Sequence, residues 1–214
     1  MVQIAPSMLA ADFLHLEKDV ELVNRYADIF HLDVMDGTFV PNISYGFPVV
    51  EAIAKKAEKP LDAHLMIVRP ENYVDRFAKA GVHMLSFHVN ATEAPGNVLD
   101  QIRAAGMLAG LAINPDIPVE ALFPYLDKCD YVLIMSVFAG FGGQKFIEDT
   151  YDRVAAVRKE IETRGLMCRI QVDGGVSAAN SQNLIEKGAE ILVAGSAVFK
   201  AEDPAGVISA MKNQ

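Results

Sequence analysis

One stretch constrains the fold more than any other: His31-Leu32-Asp33-Val34-Met35-Asp36-Gly37-Thr38-Phe39-Val40-Pro41-Asn42. It begins as a predicted strand in which His31, Asp33 and Met35 share one face, because side chains alternate along a strand. The dipeptide Asp36-Gly37 then predicts a loop. Polar side chains at the end of a buried strand are costly unless something satisfies them. A metal ion would do so, because an imidazole and a carboxylate two residues apart can bind the same ion.

The composition indicates a globular protein. The chain has 214 residues, 51% of them hydrophobic, and a formal net charge of −9. This length fits a single domain over residues 1–214 with a sizeable core. The negative charge argues against nucleic acid, whose phosphate backbone requires a basic surface. We find neither a signal-peptide pattern nor an apolar run of about 20 residues, and we therefore expect a cytoplasmic protein with no membrane association. Cys129 and Cys168 are expected to be free buried thiols.

Short apolar runs rich in β-formers alternate with amphipathic segments along the whole chain. The runs that predict strands are Val2–Pro6, Ile29–Met35, Leu61–Ile67, Met84–Val89, Ala109–Ile113, Tyr131–Val137, Arg169–Val172 and Ile191–Ala194. Helical periodicity is seen between them, as in Leu14–Tyr26, Tyr73–Lys79 and Pro95–Ala105. Glycines that suit a helix C-terminus follow four helical patterns, at Gly81, Gly106, Gly165 and Gly188. Eight strands, each followed by a helix, predict an all-parallel α/β fold.

Two more strands end in candidate metal ligands. His64 lies on the third predicted strand, and Asp173 follows the seventh, just before a pair of glycines. Taken alone, His64 is better explained as a hydrogen-bonded core histidine than as a ligand, and Asp173 is equally explained as the cap of a helix that starts near Ser177. Together with His31 and Asp33 they make two imidazoles and two carboxylates. This set suits Zn²⁺, Fe²⁺, Mn²⁺ or Co²⁺.

The positions of these four residues decide between two architectures. An eightfold βα repeat fits either a closed (β/α)₈ barrel or an open doubly wound sheet. The four residues lie on strands 2, 3 and 7, which are too far apart in an open sheet to converge easily. In a barrel, the carboxyl ends of all strands face one mouth. We therefore predict an α/β protein with a single-domain (β/α)₈ TIM barrel.

Glycine-rich segments follow the last three predicted strands. They are Gly140-Phe141-Gly142-Gly143-Gln144, Gly174-Gly175 and Gly195-Ser196. Glycine serves tight turns with positive φ, and it also lets backbone N–H groups face an anion. Three such loops in succession favour a phosphate site, as barrels often have there. Backbone amides would do most of the binding, since no lysine is obviously placed for it.

Other residues near the strand ends have open roles. His88 ends the fourth strand, where it either faces the mouth or is structural, whereas His15 and His83 are expected at the surface. Three methionines near strand ends either fill the core or cushion a reactive intermediate. They are Met35, Met66 and Met135.

In their order and spacing, these motifs resemble those of the ribulose-phosphate 3-epimerase family over essentially the whole chain. The segments that match are Ile4-Ala5-Pro6-Ser7, His31 through Asn42, Asp62 through Met66, Met135-Ser136-Val137, Gly140 through Gln144, Val172 through Gly175 and Ala194 through Phe199. The resemblance implies a TIM barrel of the ribulose-phosphate-binding type. It implies Asp33 as the proton acceptor and Asp173 as the proton donor. It implies one divalent metal ion held by His31, Asp33, His64 and Asp173. It also implies substrate contacts at Ser7, His64, Gly140, Phe141, Gly142, Gly143, Asp173, Gly174, Gly175, Gly195 and Ser196.

The resemblance further implies an isomerase of the pentose phosphate pathway that acts on a small sugar phosphate. Its reaction would be metal-dependent epimerisation at C3, interconverting D-ribulose 5-phosphate and D-xylulose 5-phosphate by two-base proton transfer through an ene-diolate. A homo-oligomer, either a dimer or a hexamer, is also implied.

One departure from the family pattern is Phe138-Ala139, which stands where family members usually have Asn-Pro or Asp-Pro. Losing the proline loosens the loop, and Phe138 adds a large apolar ring beside the site. A 3-epimerase acting on a hexulose phosphate such as D-allulose 6-phosphate is therefore an alternative. A metal-independent lyase or synthase and a non-catalytic sugar-phosphate binder are two others.

Overall fold

The computed structural model describes residues 2–213, and its parallel sheet closes into a barrel. Within that range the sheet has eight strands, in the order β1-β8-β7-β6-β5-β4-β3-β2. A parallel bridge between Ser7 and His31 joins β1 to β2 and completes the circle. The predicted TIM barrel is therefore confirmed. The strands are β1 Gln3–Pro6, β2 Phe30–Met35, β3 Leu61–Met66, β4 Met84–His88, β5 Leu108–Ile113, β6 Tyr131–Met135, β7 Arg169–Asp173 and β8 Ile191–Ala194.

Helices connect the strands on the outside of the barrel. They are α1 Leu16–Tyr26, α2 Phe47–Ala54, α3 Val74–Lys79, α4 Pro95–Ala104, α5 Thr150–Thr163, α6 Ser181–Glu186, α7 Ser196–Phe199 and α8 Pro204–Lys212. Short 3₁₀ turns occur at Met8–Ala10, Pro70–Asn72, Val119–Ala121 and Phe123–Tyr125. Gly81 and Gly106 follow α3 and α4 with φ of 86° and 84°, as expected of glycines that end helices.

The expectation that a helix follows every strand is wrong between β5 and β6. That connection contains only the 3₁₀ turns Val119–Ala121 and Phe123–Tyr125. Prolines at positions 115, 118 and 124 explain this, because proline lacks the N–H that an α-helix needs. The side chain of Arg153 holds the segment by donating hydrogen bonds to the carbonyl oxygens of Asn114, Pro115 and Ile117.

Alternation along the strands separates two cores. Outward-facing residues such as Leu32 and Leu65 belong to the large core between the sheet and the helices. A smaller cluster within the barrel consists of Ala5, Ile29, Met84, Tyr131, Ile191 and Val193. His31 and Asp33 alternate with the outward residues of β2, and they therefore point into the barrel interior.

The strand register brings the polar residues to neighbouring positions. Asp33 on β2 pairs with His64 on β3. Two residues earlier on the same strands, His31 pairs with Asp62. On the other side, Asp173 ends β7 opposite Met135 of β6. Among residues 2–213, no helix combines the length and the apolar character needed to cross a bilayer.

Candidate active site

The four predicted metal ligands converge at the carboxyl ends of β2, β3 and β7. One ligand atom from each of His31, Asp33, His64 and Asp173 lies within 4.8 Å of the others. Oδ1 of Asp33 is 3.3 Å from Nε2 of His31 and 3.1 Å from Nδ1 of His64. Oδ2 of Asp173 is 3.8 Å and 3.9 Å from the same two nitrogens. Four residues spread over more than 140 positions of sequence thus form one compact cluster.

The pKa values of the two carboxylates of this cluster are shifted in opposite directions. Burial raises the pKa of Asp33, but the charge of the facing His31 and the hydrogen bond from His64 outweigh it and hold the pKa well below its usual range. Burial and then the negative charge of Asp33 raise the pKa of Asp173 above its usual range. The environment thus favours an ionised Asp33 beside an Asp173 that takes up a proton more readily.

The surroundings of His31 suit a metal ligand. Its Nδ1 lies 2.8 Å from Oδ2 of Asp62, whereas its Nε2 is buried and has no hydrogen-bond partner among the described residues. A carboxylate on one ring nitrogen leaves the other free to bind a metal ion. The buried carboxylates of Asp33 and Asp62, with the partly buried Asp173 beside them, also call for positive charge, which a divalent ion would supply. The donor set and the unpartnered nitrogen together fit a bound divalent ion.

Sequence reasoning missed the network behind His31. Oδ1 of Asp62 accepts a hydrogen bond of 2.8 Å from the Tyr131 hydroxyl, and Oδ2 accepts one of 2.6 Å from Nε2 of Gln171. All three side chains are fully buried inside the barrel. The one signal in the sequence was the Asp62-x-His64 spacing, which puts both residues on the inner face of β3.

His88, whose role the sequence left open, lies inside the site behind His64. Its ring is fully buried, and its Nε2 is 2.9 Å from Nε2 of His64. The other two histidines are exposed, as predicted for His15 and His83.

Ser7 approaches Asp33 from the other side. Its hydroxyl donates a 2.5 Å hydrogen bond to Oδ2 of Asp33. The bridge between Ser7 and His31 places Ser7 at the seam of the barrel, one strand away from the carboxylate. Ser7 therefore orients Asp33, and it also lines the cavity above it.

A cavity of about 370 Å³ opens above the cluster at the carboxyl end of the barrel. Asp33 and Asp173 both line it, whereas His64 is fully buried and does not. Every other predicted substrate-contact residue lines this cavity. These are Ser7, Gly140, Phe141, Gly142, Gly143, Gly174, Gly175, Gly195 and Ser196. The three glycine-rich loops therefore share one space with the two carboxylates.

Backbone geometry accounts for glycine at two of these positions. Gly174 has φ of 119°, and a Cβ there would lie 2.8 Å from the Val137 nitrogen. Gly175 has φ of 62°, and a Cβ there would lie 2.7 Å from the Phe146 nitrogen. The tight-turn explanation therefore holds for this loop, and the same turn still leaves its backbone facing the cavity.

The loop after β6 forms one wall of the cavity. Asn42 donates a 2.8 Å hydrogen bond to the Gly140 carbonyl, which ties this loop to the end of the 31–42 stretch. Nε2 of Gln144 donates to the carbonyl oxygens of Phe138 and Phe141. Phe138 and Phe141 line the cavity with half of their surface exposed, at 50% and 53%. The expectation that Phe138 adds an apolar ring beside the site is confirmed.

The remaining wall of the cavity includes residues whose role was open or overlooked. Met35, Met66 and Met135 are buried and also line the cavity, a position that suits both of the roles left open by the sequence. Lys200, just after α7, also lines the cavity. The expectation that no lysine is placed near the glycine-rich loops is therefore corrected, because α7 brings Lys200 back to the mouth.

Comparison with known proteins gives consistent matches. A sequence profile described as the ribulose-phosphate 3 epimerase family matches residues 3–199. A ribulose-phosphate 3-epimerase of Synechocystis sp. is 46% identical over 99% of this chain and 94% of that protein. The ribulose-phosphate 3-epimerase of Bacillus subtilis is 42% identical over 99% of both chains.

Solved structures with lower sequence identity share the fold. KGPDC from Streptococcus mutans superposes with a TM-score of 0.73 at 14% identity, covering 100% of this chain and 96% of that one. A 3-hexulose-6-phosphate synthase superposes with a TM-score of 0.72 at 18% identity, covering 100% and 99%.

Proposed function

The chain belongs to the ribulose-phosphate 3-epimerase family and is therefore an isomerase, and on this premise we propose that it interconverts D-ribulose 5-phosphate and D-xylulose 5-phosphate. The observation that supports this most directly is that Asp33 and Asp173 reach one cavity from separate strands. Inversion at C3 requires one group to remove a proton from one face of the carbon and another to deliver a proton to the opposite face. A substrate lying between the two carboxylates meets that requirement.

The two carboxylates differ in a way that matches these roles. Asp33, whose pKa is lowered, is ionised and removes the C3 proton, while Ser7 holds its other oxygen in place. Asp173, whose pKa is raised, delivers a proton to the opposite face. In the reverse direction the two residues exchange tasks, because the same path is followed backwards.

The proposed metal site consists of Nε2 of His31, Nδ1 of His64 and one oxygen each from Asp33 and Asp173. When bound, a divalent ion supplies the positive charge that acidifies the C3 proton and balances the charge of an ene-diolate. Zn²⁺, Fe²⁺, Mn²⁺ and Co²⁺ all suit this ligand set. Asp62 supports the site from behind by holding the ring of His31.

The glycine-rich loops would bind the phosphate at the far end of the substrate. Residues 140–143, 174–175 and 195–196 line the cavity, where their backbone N–H groups would bind the phosphate, and Lys200 adds a positive charge there. Fixing the phosphate would hold C3 against the carboxylates, which lowers the entropic part of the barrier. The cytoplasmic location, the homo-oligomeric state and the single-domain organisation over residues 1–214 stay predictions.

The decisive experiment supplies D-ribulose 5-phosphate to the protein in D₂O. We expect D-xylulose 5-phosphate to form with deuterium at C3, and we expect chelator treatment to stop the reaction until a divalent ion is restored. Epimerisation without deuterium uptake would contradict free exchange at the two carboxylates. Activity that survives complete metal removal would contradict the metal site and favour a metal-independent barrel enzyme.

The same assay with D-allulose 6-phosphate tests the hexulose alternative. That alternative draws on the half-exposed ring of Phe138 in the cavity wall. We expect the pentulose to react faster. A higher kcat/KM with the hexulose phosphate would replace the proposed substrate with that one.

A further inference from the structure

His64 and His88 form a buried pair of imidazoles at the rear of the metal cluster. Their Nε2 atoms are 2.9 Å apart, and their ring planes are inclined by 28°. The Phe39 ring covers His88, with 5.0 Å between the ring centroids. The second nitrogen of His88, Nδ1, is buried and has no hydrogen-bond partner among residues 2–213. Among the described residues, the one hydrogen-bond partner of the His88 side chain is therefore His64.

If His64 binds a metal ion through Nδ1, this requirement determines which of the two Nε2 atoms carries the hydrogen. Nδ1 of His64 faces the cluster, 3.1 Å from Asp33 Oδ1 and 3.9 Å from Asp173 Oδ2. To bind an ion, that nitrogen must offer a lone pair, so a neutral His64 carries its hydrogen on Nε2. The acceptor within reach of this hydrogen is Nε2 of His88.

We propose that His88 is a positioning residue of the metal centre. By accepting the Nε2–H of His64, it holds His64 in the tautomer and ring orientation in which Nδ1 binds the ion. The inference rests on the proposed function, because it presupposes a metal ion between His31, Asp33, His64 and Asp173. His88 does not touch the substrate cavity, so it acts only through His64.

The choice of a neutral acceptor has a physical reason. His31 is oriented by a carboxylate, Asp62, at 2.8 Å. A second orienting carboxylate, placed behind the fully buried His64, would add another buried negative charge to those of Asp33 and Asp62, at a high cost in desolvation. An imidazole fixes the tautomer without adding charge.

Two variants separate hydrogen bonding from packing. His88→Phe keeps an aromatic ring between His64 and Phe39 but removes the acceptor, whereas His88→Gln retains an acceptor oxygen close to the position of Nε2. Each metal-free protein is titrated with Co²⁺ alone, in competition with a chromophoric chelator, and the visible spectrum of the bound ion is recorded. We expect about 10- to 100-fold weaker Co²⁺ binding and an altered spectrum in His88→Phe. We expect His88→Gln to bind within a few-fold of the wild-type protein.

Thermal unfolding of the metal-free variants shows whether each is folded. Wild-type Co²⁺ affinity and spectrum in His88→Phe would overturn the proposal. An equal loss in both variants, with both folded, would also overturn it, because packing rather than an acceptor would then be what His64 needs.

A measurement on the unaltered protein decides the matter even if a variant fails to fold. In the Zn²⁺-loaded protein, ¹⁵N NMR should show a protonated Nε2 on His64 and an unprotonated Nε2 on His88. The reverse assignment overturns the proposal. Failure of the proposed metal site is recognised separately, because the unaltered protein would then bind no Co²⁺ at this site. That result would also overturn the proposed role of His88.

Discussion

The hydroxyl of Tyr131 crosses the barrel interior and donates a 2.8 Å hydrogen bond to Oδ1 of Asp62. Asp62 in turn holds Nδ1 of His31 at 2.8 Å, so a phenol on β6 helps to orient a proposed metal ligand on β2. Burial and then the nearby charge of Asp62 raise the pKa of Tyr131 well above its usual value, so the phenol stays a hydrogen-bond donor. The barrel interior below the cavity is therefore part of the site.

Replacing Tyr131 with Phe should weaken both the fold and the metal site. The variant leaves one oxygen of a buried carboxylate with one donor fewer, which should lower the free energy of unfolding by about 1.5–3 kcal/mol. Divalent-ion affinity should also fall, because His31 is held less firmly. Urea denaturation and Co²⁺ titration measure the two effects. Tyr26→Phe, at a ring that is 41% exposed, is the control and should change neither.

Gly110 on β5 makes room for the Tyr131 ring. A Cβ at this position would lie within 2.7 Å of both Cε atoms of Tyr131, and the ring is enclosed in the barrel. Gly110→Ala should therefore displace the ring and lower the free energy of unfolding by about 1–3 kcal/mol. Gly96→Ala is the matched control, since a Cβ there makes only ordinary contacts at 3.7 Å or more. Equal stabilities of the two variants in urea denaturation would contradict this packing argument.

Removing either of the two proposed catalytic carboxylates should abolish proton transfer at one face of C3 and leave it at the other. Asp33→Asn and Asp173→Asn should each lower kcat by about 10²–10⁴-fold, since each removes one of two proton-transfer groups. The remaining carboxylate should still exchange the C3 proton of one epimer with D₂O. The two variants should therefore label opposite epimers.

Mass spectrometry of each recovered epimer after incubation in D₂O checks this pattern, and Asp75→Asn, at an exposed residue of α3, is the control. If one variant labelled both epimers, a single base would suffice, and the two-base assignment would be wrong.

The sequence predicted the residues that repeat a local pattern and missed those that depend on register. His31, Asp33 and His64 were found because strand alternation puts them on an inner face. The links from Asp62 to Tyr131 and to Gln171 span 69 and 109 residues, and only the barrel's strand pairing brings them together.

Two other differences have local causes. The helix expected after β5 is absent because three prolines in positions 115–124 lack the N–H groups that an α-helix needs. Lys200 could not be placed because an exposed lysine after a four-residue helix follows no periodicity that would give its direction.

The carboxylate of Asp36 joins two loops at the mouth of the barrel. Its Oδ1 accepts 2.8 Å hydrogen bonds from the backbone N–H groups of Thr38 and Phe39, and its Oδ2 accepts one of 2.9 Å from Val68. Burial opposes ionisation, but these hydrogen bonds outweigh it and lower the pKa of Asp36. A carboxylate whose pKa is lowered by folding stabilises the fold above its unfolded pKa, about 3.9, and loses that contribution as the pH falls through the folded pKa.

Asp36→Asn should therefore be less stable than the unaltered protein at pH 7. The difference in free energy of unfolding between the two proteins, here called the gap, should narrow as the pH falls below about 4. Urea denaturation of both proteins across this range measures the gap in free energy of unfolding. The exposed Asp127, changed to Asn, is the control and should show no such narrowing. A gap that stays constant from pH 7 to pH 3 would show that the charge of Asp36 contributes nothing.

Lys200 should act on substrate binding rather than on the chemical step. It lines the cavity together with Gly195 and Ser196, where the phosphate is proposed to bind, whereas proton transfer is proposed to take place at Asp33 and Asp173. A cation that pairs with the phosphate equally in the ground state and the transition state contributes uniform binding. Lys200→Gln should therefore raise KM about 10-fold, which corresponds to about 1.4 kcal/mol, with kcat nearly unchanged. Steady-state kinetics at low and high salt would check this, because screening by salt should shrink the difference in KM. Lys18→Gln, at an exposed residue of α1, is the control and should leave kcat and KM as they are. A fall in kcat at constant KM would instead place Lys200 in the chemistry at C3.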